Sequence, residues 1–313
     1  MSALIFRGVG RALLVLLTVA SLVFVMVHLS GDPLAGFVPP GASPEQKAVI
    51  REQLGLDRPI AVQYADFLGR AVTGDFGESW RAKRSAMDIV IERLPATLRL
   101  TGVAIALAIL IGGGLGLLAA RKPGGILDGI TRLLALVGQA TPGFWLGTML
   151  ILLFAVRWKL LPSSGGVGWK ALILPAMTLA IYPAGIIARL LRGALIDVRG
   201  TEYARTATAK GLAPGTVTTR HLLPNAVLPV LGFAGLQVSF LLGGAVVIES
   251  VFAYPGVGRL AMQAVADRDL PVIQAFVVVL AAMILIVNLV VEAIAAWIDP
   301  RLRDGSRSWT GAV

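Results

Sequence analysis

Six long apolar segments set the pattern of this chain. Each is close to the roughly 20 apolar residues that a helix needs to cross the hydrocarbon core of a membrane. Shorter polar or basic stretches separate the segments, as is typical of loops at a membrane surface. The pattern predicts an all-α, polytopic membrane protein with six transmembrane helices. The predicted spans are about 9–29, 96–120, 131–156, 171–195, 226–248 and 272–297.

The first apolar segment has two interpretations. Arg7 and Arg11 precede its apolar core, as basic residues precede the core of a signal peptide. The core is long, however, and the sequence MVHLSGDP that follows it lacks a small-x-small cleavage site. We therefore predict an uncleaved transmembrane anchor.

A polar stretch, residues 30–95, follows this anchor and has the pattern of a folded segment. In SPEQKAVIREQLGL, Ser43 can cap a helix, Pro44 occupies its first position and Gly55 can end it. VQYADFLGRAV indicates a second short helix. We expect these helices to form a small segment outside the membrane, and none of their residues has catalytic spacing.

The basic residues predict the orientation of the chain. With the N-terminus inside, the short cytoplasmic loops and ends hold 14 Lys and Arg residues, and the short outer loops hold five. Residues 30–95 count little, because long translocated segments cross largely regardless of charge. Both termini are therefore predicted to be cytoplasmic. The predicted domains are 1–95 (first helix and extracytoplasmic segment), 96–300 (five-helix transmembrane core) and 301–313 (cytoplasmic tail).

Composition limits the classes of function. Only 15% of the residues are charged, whereas an average soluble domain has about 25%. The net charge of +10 comes from basic residues that lie singly between apolar segments, so we predict no nucleic-acid partner. The chain has no cysteine and only two, widely separated histidines. Disulfides and thiol chemistry are thereby excluded, and no metal site is predicted.

The chain lacks a sequence signature for an energy source of its own. A P-loop needs Gly-Lys-Ser/Thr after a glycine-rich turn, and no Gly-Lys dipeptide occurs here. We therefore predict that the chain is not an enzyme and that it carries no cofactor. Glu249, Glu292 and Asp197 lie at the ends of apolar segments. An ion-coupled secondary transporter, which needs ionisable groups at mid-membrane depth, stays open as an alternative.

Uncharged polar residues occur inside the apolar segments. They either hydrogen-bond neighbouring helices or line a pathway for a solute. The residues predicted to line such a pathway are Gln139, Tyr182, Gln237, Ser239 and Asn288. Three prolines predict bends in the third and fourth spans, namely Pro142, Pro175 and Pro183. A glycine cluster favours close helix packing in the second span, at Gly112, Gly113, Gly114 and Gly116.

The stretch EYARTATAKGLAPGTVTTRHLLP interrupts the apolar pattern between the fourth and fifth spans. Thr201 can cap a helix that Gly211 ends with a positive φ, and Pro214 can start another. Ala204, Ala207 and Gly211 share one face of the first helix, and that face is almost free of side chain. We predict that this small face docks into a groove of another protein. The alternative, a helix lying on anionic lipid, lacks the apolar face that it needs.

Three stretches resemble one protein family. YARTATAKGL, followed by HLLPN, resembles the coupling-loop signature of binding-protein-dependent ABC importer permeases, in the variant of the dipeptide, oligopeptide and nickel branch. The positions that match the general signature are Ala207, Gly211, Leu223 and Pro224. Arg205 stands where the general signature has an acid, a departure typical of the peptide branch. ESVFAYPGVGRLAMQAVADRDLPVIQA resembles the segment between the last two spans of peptide permeases. GDP at 31–33 and QLGLDRPIAVQYADFLGRAVTGDFGESW resemble the outer segment of the first of their two permease subunits.

The resemblance implies a type I ABC importer permease fold in the plasma membrane of a bacterium. It implies three kinds of partner besides the lipid bilayer: a second homologous permease, two ATPase subunits that bind ATP and Mg, and an extracytoplasmic solute-binding protein. The chain would form half of the translocation pathway for di- or oligopeptides. Nickel complexes, glutathione, glycosides and opines are other solutes of the family.

The resemblance also implies that residues 201–224 couple the permease to the ATPase. The residues expected to carry this coupling are Glu202, Tyr203, Ala204, Arg205, Ala207, Lys210, Gly211, Leu212 and Pro224. A membrane scaffold that recruits a partner without transport is the second alternative to an importer subunit.

Overall fold

The computed structural model describes residues 2–29, 43–53, 57–165 and 168–298. Apart from an isolated bridge between Glu78 and Ser85, the regular structure in these ranges is helical. The predicted all-α class is therefore confirmed. The GDP sequence at 31–33, Gly55 and the predicted tail at 301–313 lie outside the described residues.

Thirteen α-helices are described in these ranges. In chain order they are α1 (Ser2–Leu29), α2 (Pro44–Gln53), α3 (Ile60–Thr73), α4 (Ala86–Arg121), α5 (Ile126–Ala140), α6 (Gly143–Leu150), α7 (Trp169–Arg199), α8 (Glu202–Ala209), α9 (Pro214–Thr216), α10 (Leu223–Ala226), α11 (Leu228–Val251), α12 (Val257–Asp267) and α13 (Leu270–Ile298). Wider, π-helical turns continue α6 over Ile151–Arg157 and join α9 to α10 over Val217–Leu222.

The predicted spans correspond to helices of unequal length. α4, α7, α11 and the part Leu270–Val291 of α13 are long and apolar enough to cross a membrane, and α1 contains a shorter apolar helix, Leu13–Met26. α4 begins at Ala86, before the predicted span. The reason is that the Ser85 hydroxyl accepts a hydrogen bond from the Asp88 N–H and so starts the helix among polar residues.

The third predicted span, 131–156, is divided into two helices at the predicted bend, Pro142. α5 ends just before Thr141, α6 begins just after Pro142, and the two helices are bent by 107°. Thr141 and Pro142 have ψ angles of 125° and 132°, outside the helical region. A residue before proline avoids the α region, and proline itself has no N–H to donate. Counted as one broken span, this pair brings the candidate spans to as many as five among the described residues.

The chain divides into two compact units. One unit comprises Met1–Thr97 and Pro255–Ile286, and the other comprises Leu98–Tyr254 and Val287–Val313. In the first unit, the rings of Phe24 on α1 and Phe67 on α3 lie 5.5 Å apart between centroids. In the same unit, the buried Asp269 carboxylate accepts hydrogen bonds from the Ser79 hydroxyl and the Trp80 N–H, at 2.5 and 3.2 Å. These bonds fix the segment that connects α3 to α4.

α7 lies at the centre of the second unit. It packs extensively against α5 and α11, and the Pro175 and Pro183 residues that predicted bends are buried within its continuous helical run. α4 approaches α7 closely at Gly112 and Gly116. A Cβ atom on Gly112 would overlap the Ala184 carbonyl oxygen, whereas one on Gly113 would meet no atom within 4 Å. Close packing, as the glycine cluster predicted, is therefore the role of Gly112 and Gly116.

We expect Gly112→Ala to lower the stability of the protein and Gly113→Ala to leave it unchanged. The added methyl group at 112 must displace helix backbone, and overpacking of this kind costs about 1–3 kcal/mol. The measurement is the midpoint of thermal unfolding of each variant in detergent. Equal midpoints for the two variants would contradict the close approach of α4 to α7.

Candidate coupling loop and solute pathway

The predicted coupling loop begins directly after α7 and contains two short helices. Thr201 precedes α8 with an extended backbone, but its hydroxyl donates to the Val198 carbonyl oxygen at 2.6 Å. It therefore does not cap α8 through its side chain, contrary to the prediction. Gly211 has the predicted positive φ of 76°, and Pro214 occupies the first turn of α9. The helix–turn–helix arrangement of the loop thus follows the sequence pattern.

The small face of α8 points into the protein itself. Ala204 and Ala207 are only 2% and 5% exposed, and they belong to a core cluster that includes Leu195, Val217 and Leu222. The prediction that this face is open to another protein is therefore corrected. Small side chains let α8 lie against the turns that follow it, so these alanines position the loop within its own chain.

The opposite face of α8 and the turn after it are exposed. Tyr203 is 44% exposed and Leu212 is 37% exposed, and the Tyr203 hydroxyl accepts a hydrogen bond from Asn225 Nδ2 at 3.1 Å. The other predicted coupling residues that are exposed are Glu202, Arg205, Lys210, Gly211 and Pro224. Arg205 forms an exposed ion pair with Glu202 at 3.2 Å. We call Tyr203, Arg205, Lys210 and Leu212 the outward face of the loop.

A cavity of about 380 Å³ lies in the same unit as the loop. Two of the predicted pathway residues line it, Gln139 and Tyr182. The Tyr182 ring stacks on Phe240, with 5.6 Å between centroids. The remaining lining residues are Gly138, Thr141, Gly143, Phe144, Leu146, Thr178, Leu179, Leu241, Gly244, Val247 and Ile248. An apolar wall with a few hydroxyl and amide groups can hold a small, partly polar solute.

Three predicted pathway residues lie away from the cavity lining. Ser239 Oγ donates to Asn288 Oδ1 at 2.7 Å, which joins α11 to α13. The sequence left two interpretations open for these residues, a helix–helix hydrogen bond or a pathway lining. For Ser239 and Asn288 the structure shows the hydrogen bond. Gln237 Oε1 is buried and has no hydrogen-bond partner among the described residues.

A buried ion cluster joins α5 to α7, and the sequence analysis did not find it. Asp128 is fully buried and accepts from Arg192 Nε at 2.5 Å and Arg192 Nη2 at 2.8 Å. It also accepts from Arg132 Nη2 at 3.1 Å and from the Gly124 N–H at 2.8 Å. The spacing of Asp128 and Arg132 by four residues could have indicated a pair on one helix, but the bond to Arg192 depends on how α5 and α7 pack.

A second contact between the same helices was also missed. Arg189 Nη2 donates to Gln139 Oε1 at 2.7 Å, and Gln139 Nε2 donates to the Ala135 carbonyl oxygen at 2.9 Å. These bonds hold the side chain of a cavity-lining residue against a guanidinium group. Within the described ranges, no cluster of three or more His, Cys, Asp or Glu side chains could hold a metal ion.

Comparisons with known proteins give the family. Residues 112–304 match the family described as binding-protein-dependent transport system inner membrane component, and residues 1–101 match its N-terminal family. The glutathione transport system permease protein GsiC of Salmonella choleraesuis (strain SC-B67) is 40% identical over 289 residues, which cover 92% of this chain and 94% of that protein. A candidate peptide transport system permease protein of Brucella abortus (strain 2308) is 38% identical over 312 residues, with coverage of 97% and 99%.

A solved structure gives the fold. The MetNI methionine ABC transporter, in an inward-facing conformation, is similar with a TM-score of 0.57 at 21% identity, and the match covers 68% of this chain and 97% of that one. The predicted ABC importer permease fold is thereby confirmed. The chain therefore belongs to the family of binding-protein-dependent transport system inner membrane components, and it is a multi-pass, non-catalytic permease subunit of an ABC importer, in which partner subunits hydrolyse the ATP.

Proposed function

We propose that this permease forms half of the translocation pathway for short peptides, including glutathione, which a solute-binding protein delivers. The observation that carries the proposal is that one helix connects the cavity to the coupling loop. α7 lines the cavity with Thr178 and Tyr182, and only Gly200 and Thr201 separate its end from α8. A displacement of α8 can therefore reach the cavity wall along a continuous helix.

The proposed assembly contains a second, homologous permease and two ATPase subunits that bind ATP and Mg. The solute-binding protein docks on the extracytoplasmic side. The excess of Lys and Arg in the short loops on one side supports cytoplasmic termini and a cytoplasmic loop 201–224. Residues 96–300 form the transmembrane core in this assembly, residues 1–95 add the first helix and the outer segment, and residues 301–313 form the tail.

The ATPase contact is assigned to the outward face of the loop. Tyr203 and Leu212 offer exposed apolar surface, while Arg205 and Lys210 add positive charge beside it. Tyrosine and arginine side chains are enriched among the residues that dominate binding at protein interfaces. The buried Ala204 and Ala207 support this face from below instead of entering the groove.

The transport cycle follows from this connection. ATP binding draws the two ATPase subunits together, and each carries its coupling loop with it. α7 then moves with α8, and the cavity changes from an opening on the ATPase side to an opening on the side of the solute-binding protein. ATP hydrolysis separates the ATPases and returns the cavity to the first state, so that one solute crosses per cycle.

Peptides are the proposed solutes because two lines of support agree. Relatives over almost the full chain are named for glutathione and for peptides. The cavity is of the size that small ligands occupy, about 300–1,000 Å³, and its wall mixes the Gln139 amide and the Tyr182 and Thr178 hydroxyls with apolar side chains. A short peptide offers amide and carboxylate groups to the polar part of this lining and short side chains to its apolar part.

The test is uptake of labelled trialanine and of labelled glutathione by vesicles that contain the complete transporter and its solute-binding protein. We expect uptake of at least one of them that requires ATP on the ATPase side and stops when the ATPase subunits carry a Walker-motif substitution. Uptake driven by an ion gradient without the ATPases would contradict the proposal in favour of a secondary transporter. Normal assembly without ATP-dependent uptake of either solute would contradict the proposed solute class.

A further inference from the structure

Arg189 is a positive charge within the spanning helix α7. Its guanidinium is exposed, and Nη2 donates a hydrogen bond to Gln139 Oε1. Among the described residues, no carboxylate lies within ion-pairing distance of it. Arg192, one turn further along α7, differs because the fully buried Asp128 neutralises it. Arg189 therefore retains a charge that no described carboxylate compensates, on a helix that is long and apolar enough to cross a membrane.

The position of Arg189 places it beside the cavity. Thr178 and Tyr182 line the cavity from α7, and Arg189 follows Tyr182 by seven residues, which is two helical turns on the same face. Its partner Gln139 lines the cavity from α5. Arg189 thus lies at the edge of the cavity that is nearer to α8.

The contact with Gln139 leaves most of the guanidinium unused. An arginine has five N–H donors in one plane, and one hydrogen bond to Gln139 is present. The Gln139 amide is oriented by its own bond to the Ala135 carbonyl oxygen, so its oxygen stays directed at Arg189. The guanidinium is thus held in place, with donors left for a planar, bidentate partner such as a carboxylate.

We propose that Arg189 binds the carboxylate of a solute as it passes from the cavity toward the α8 side. This inference rests on the proposed function, because short peptides and glutathione carry a free carboxylate at their C-terminal end. Gln139 acts as a positioning residue that holds the guanidinium at the edge of the cavity. The pathway then favours solutes with a free carboxylate over amidated solutes, which are cationic. This preference adds to the specificity of the solute-binding protein.

The test compares trialanine with trialanine amide in vesicles that contain the complete transporter and a saturating amount of solute-binding protein. Arg189→Gln is expected to lower the maximal uptake of trialanine about tenfold, the usual effect of losing a hydrogen-bonded charge pair. Uptake of the amide should change less than about twofold, and Arg189→Lys should recover only part of the trialanine uptake, because it keeps the charge but loses the planar pair of donors. Lys170→Gln, which removes an exposed cation at the other end of α7, should have no effect.

A second measurement does not depend on the solute. The chain has no cysteine, so Thr141→Cys supplies its single thiol in the cavity lining. The labelling ratio is the rate with an anionic methanethiosulfonate divided by the rate with a cationic one of similar size. This ratio should be higher when Arg189 is present. Adding Arg189→Gln should lower that ratio roughly threefold through the lost Coulomb attraction.

The outcomes separate this inference from the proposed function. Equal loss of both peptides, or no loss of trialanine uptake in Arg189→Gln, would overturn carboxylate binding by Arg189. An unchanged labelling ratio would overturn the placement of its charge beside the cavity. Absence of ATP-dependent uptake by the unaltered transporter would contradict the proposed solute class instead, and the labelling ratio would still report on the charge at Arg189.

Discussion

Leu212→Asp is expected to abolish ATP-driven uptake while the permease stays folded. Leu212 is exposed directly after Gly211, whose positive φ turns the chain at the end of α8. In the proposed assembly this side chain enters a groove of the ATPase together with Tyr203. A carboxylate in place of this apolar side chain has a large desolvation cost when it is buried in the groove, so the ATPase should no longer bind. The measurement is uptake together with the amount of ATPase that copurifies with the permease.

Two variants serve as controls for this prediction. Val72→Asp adds the same charge at an apolar residue of α3 that is 89% exposed, and it should leave copurification of the ATPase unchanged. Ala207→Trp should instead lower the unfolding temperature, because Ala207 is buried in the chain's own core. Full uptake and normal copurification in Leu212→Asp would contradict the assignment of the outward face to the ATPase.

Asp128→Ala is expected to lower the midpoint of thermal unfolding by roughly 5–15 °C, the range for loss of one partner of a buried ion pair in a protein of this size. The substitution leaves Arg192, only 23% exposed, without its carboxylate. The Gly124 N–H also loses its acceptor. The measurement is thermal unfolding of the purified protein in detergent, followed by tryptophan fluorescence.

Matched variants show whether the effect comes from the buried pair. Arg132→Ala removes a partner that is 55% exposed and should change the midpoint little, because exposed ion pairs contribute little. The double variant Asp128→Ala/Arg192→Ala should recover part of the loss, since it leaves no buried charge unpaired. An unchanged midpoint in Asp128→Ala would contradict the role of this cluster in joining α5 to α7.

The hydrophobic pattern predicted the spanning helices, because a helix that crosses the hydrocarbon core needs about 20 predominantly apolar residues. It did not predict where helices extend beyond the apolar residues. α4 continues back to the polar turn at Ser85, where a hydroxyl, not hydropathy, decides the start. Pro142 was predicted to bend the third span, and its effect together with Thr141 is large enough to divide that span into two helices.

The coupling loop shows why a correct helix can be assigned the wrong exposed face. Small residues at one face of α8 indicate that another segment packs closely against it. They do not specify whether that segment belongs to the same chain or to another protein. Here the partner is the chain itself, since Ala204 and Ala207 pack near Val217 and Leu222. The contact depends on how the chain turns after Gly211, which periodicity alone does not specify.

The candidate pathway was predicted only in part, for a related reason. For the polar residues in the spans, the sequence left open whether they bond to a neighbouring helix or line a pathway, because their partners lie far apart in sequence. Ser239 finds Asn288, while Gln139 faces both the cavity and Arg189. Arg189 was one of the 14 Lys and Arg residues counted on the cytoplasmic side, and its contact with Gln139 on α5 depends on how the two helices pack.

In the proposed cycle, ATP binding by the ATPases moves the coupling loop and α7, and the cavity then opens on the other side of the membrane. Tyr182→Cys tests it directly, since it places the chain's single thiol in the cavity wall. With the ATPases free of nucleotide, a membrane-impermeant thiol reagent should label this residue from the ATPase side only. With ATP trapped by a hydrolysis-deficient ATPase, it should label from the solute-binding-protein side only. Labelling from the same side in both states would contradict the account.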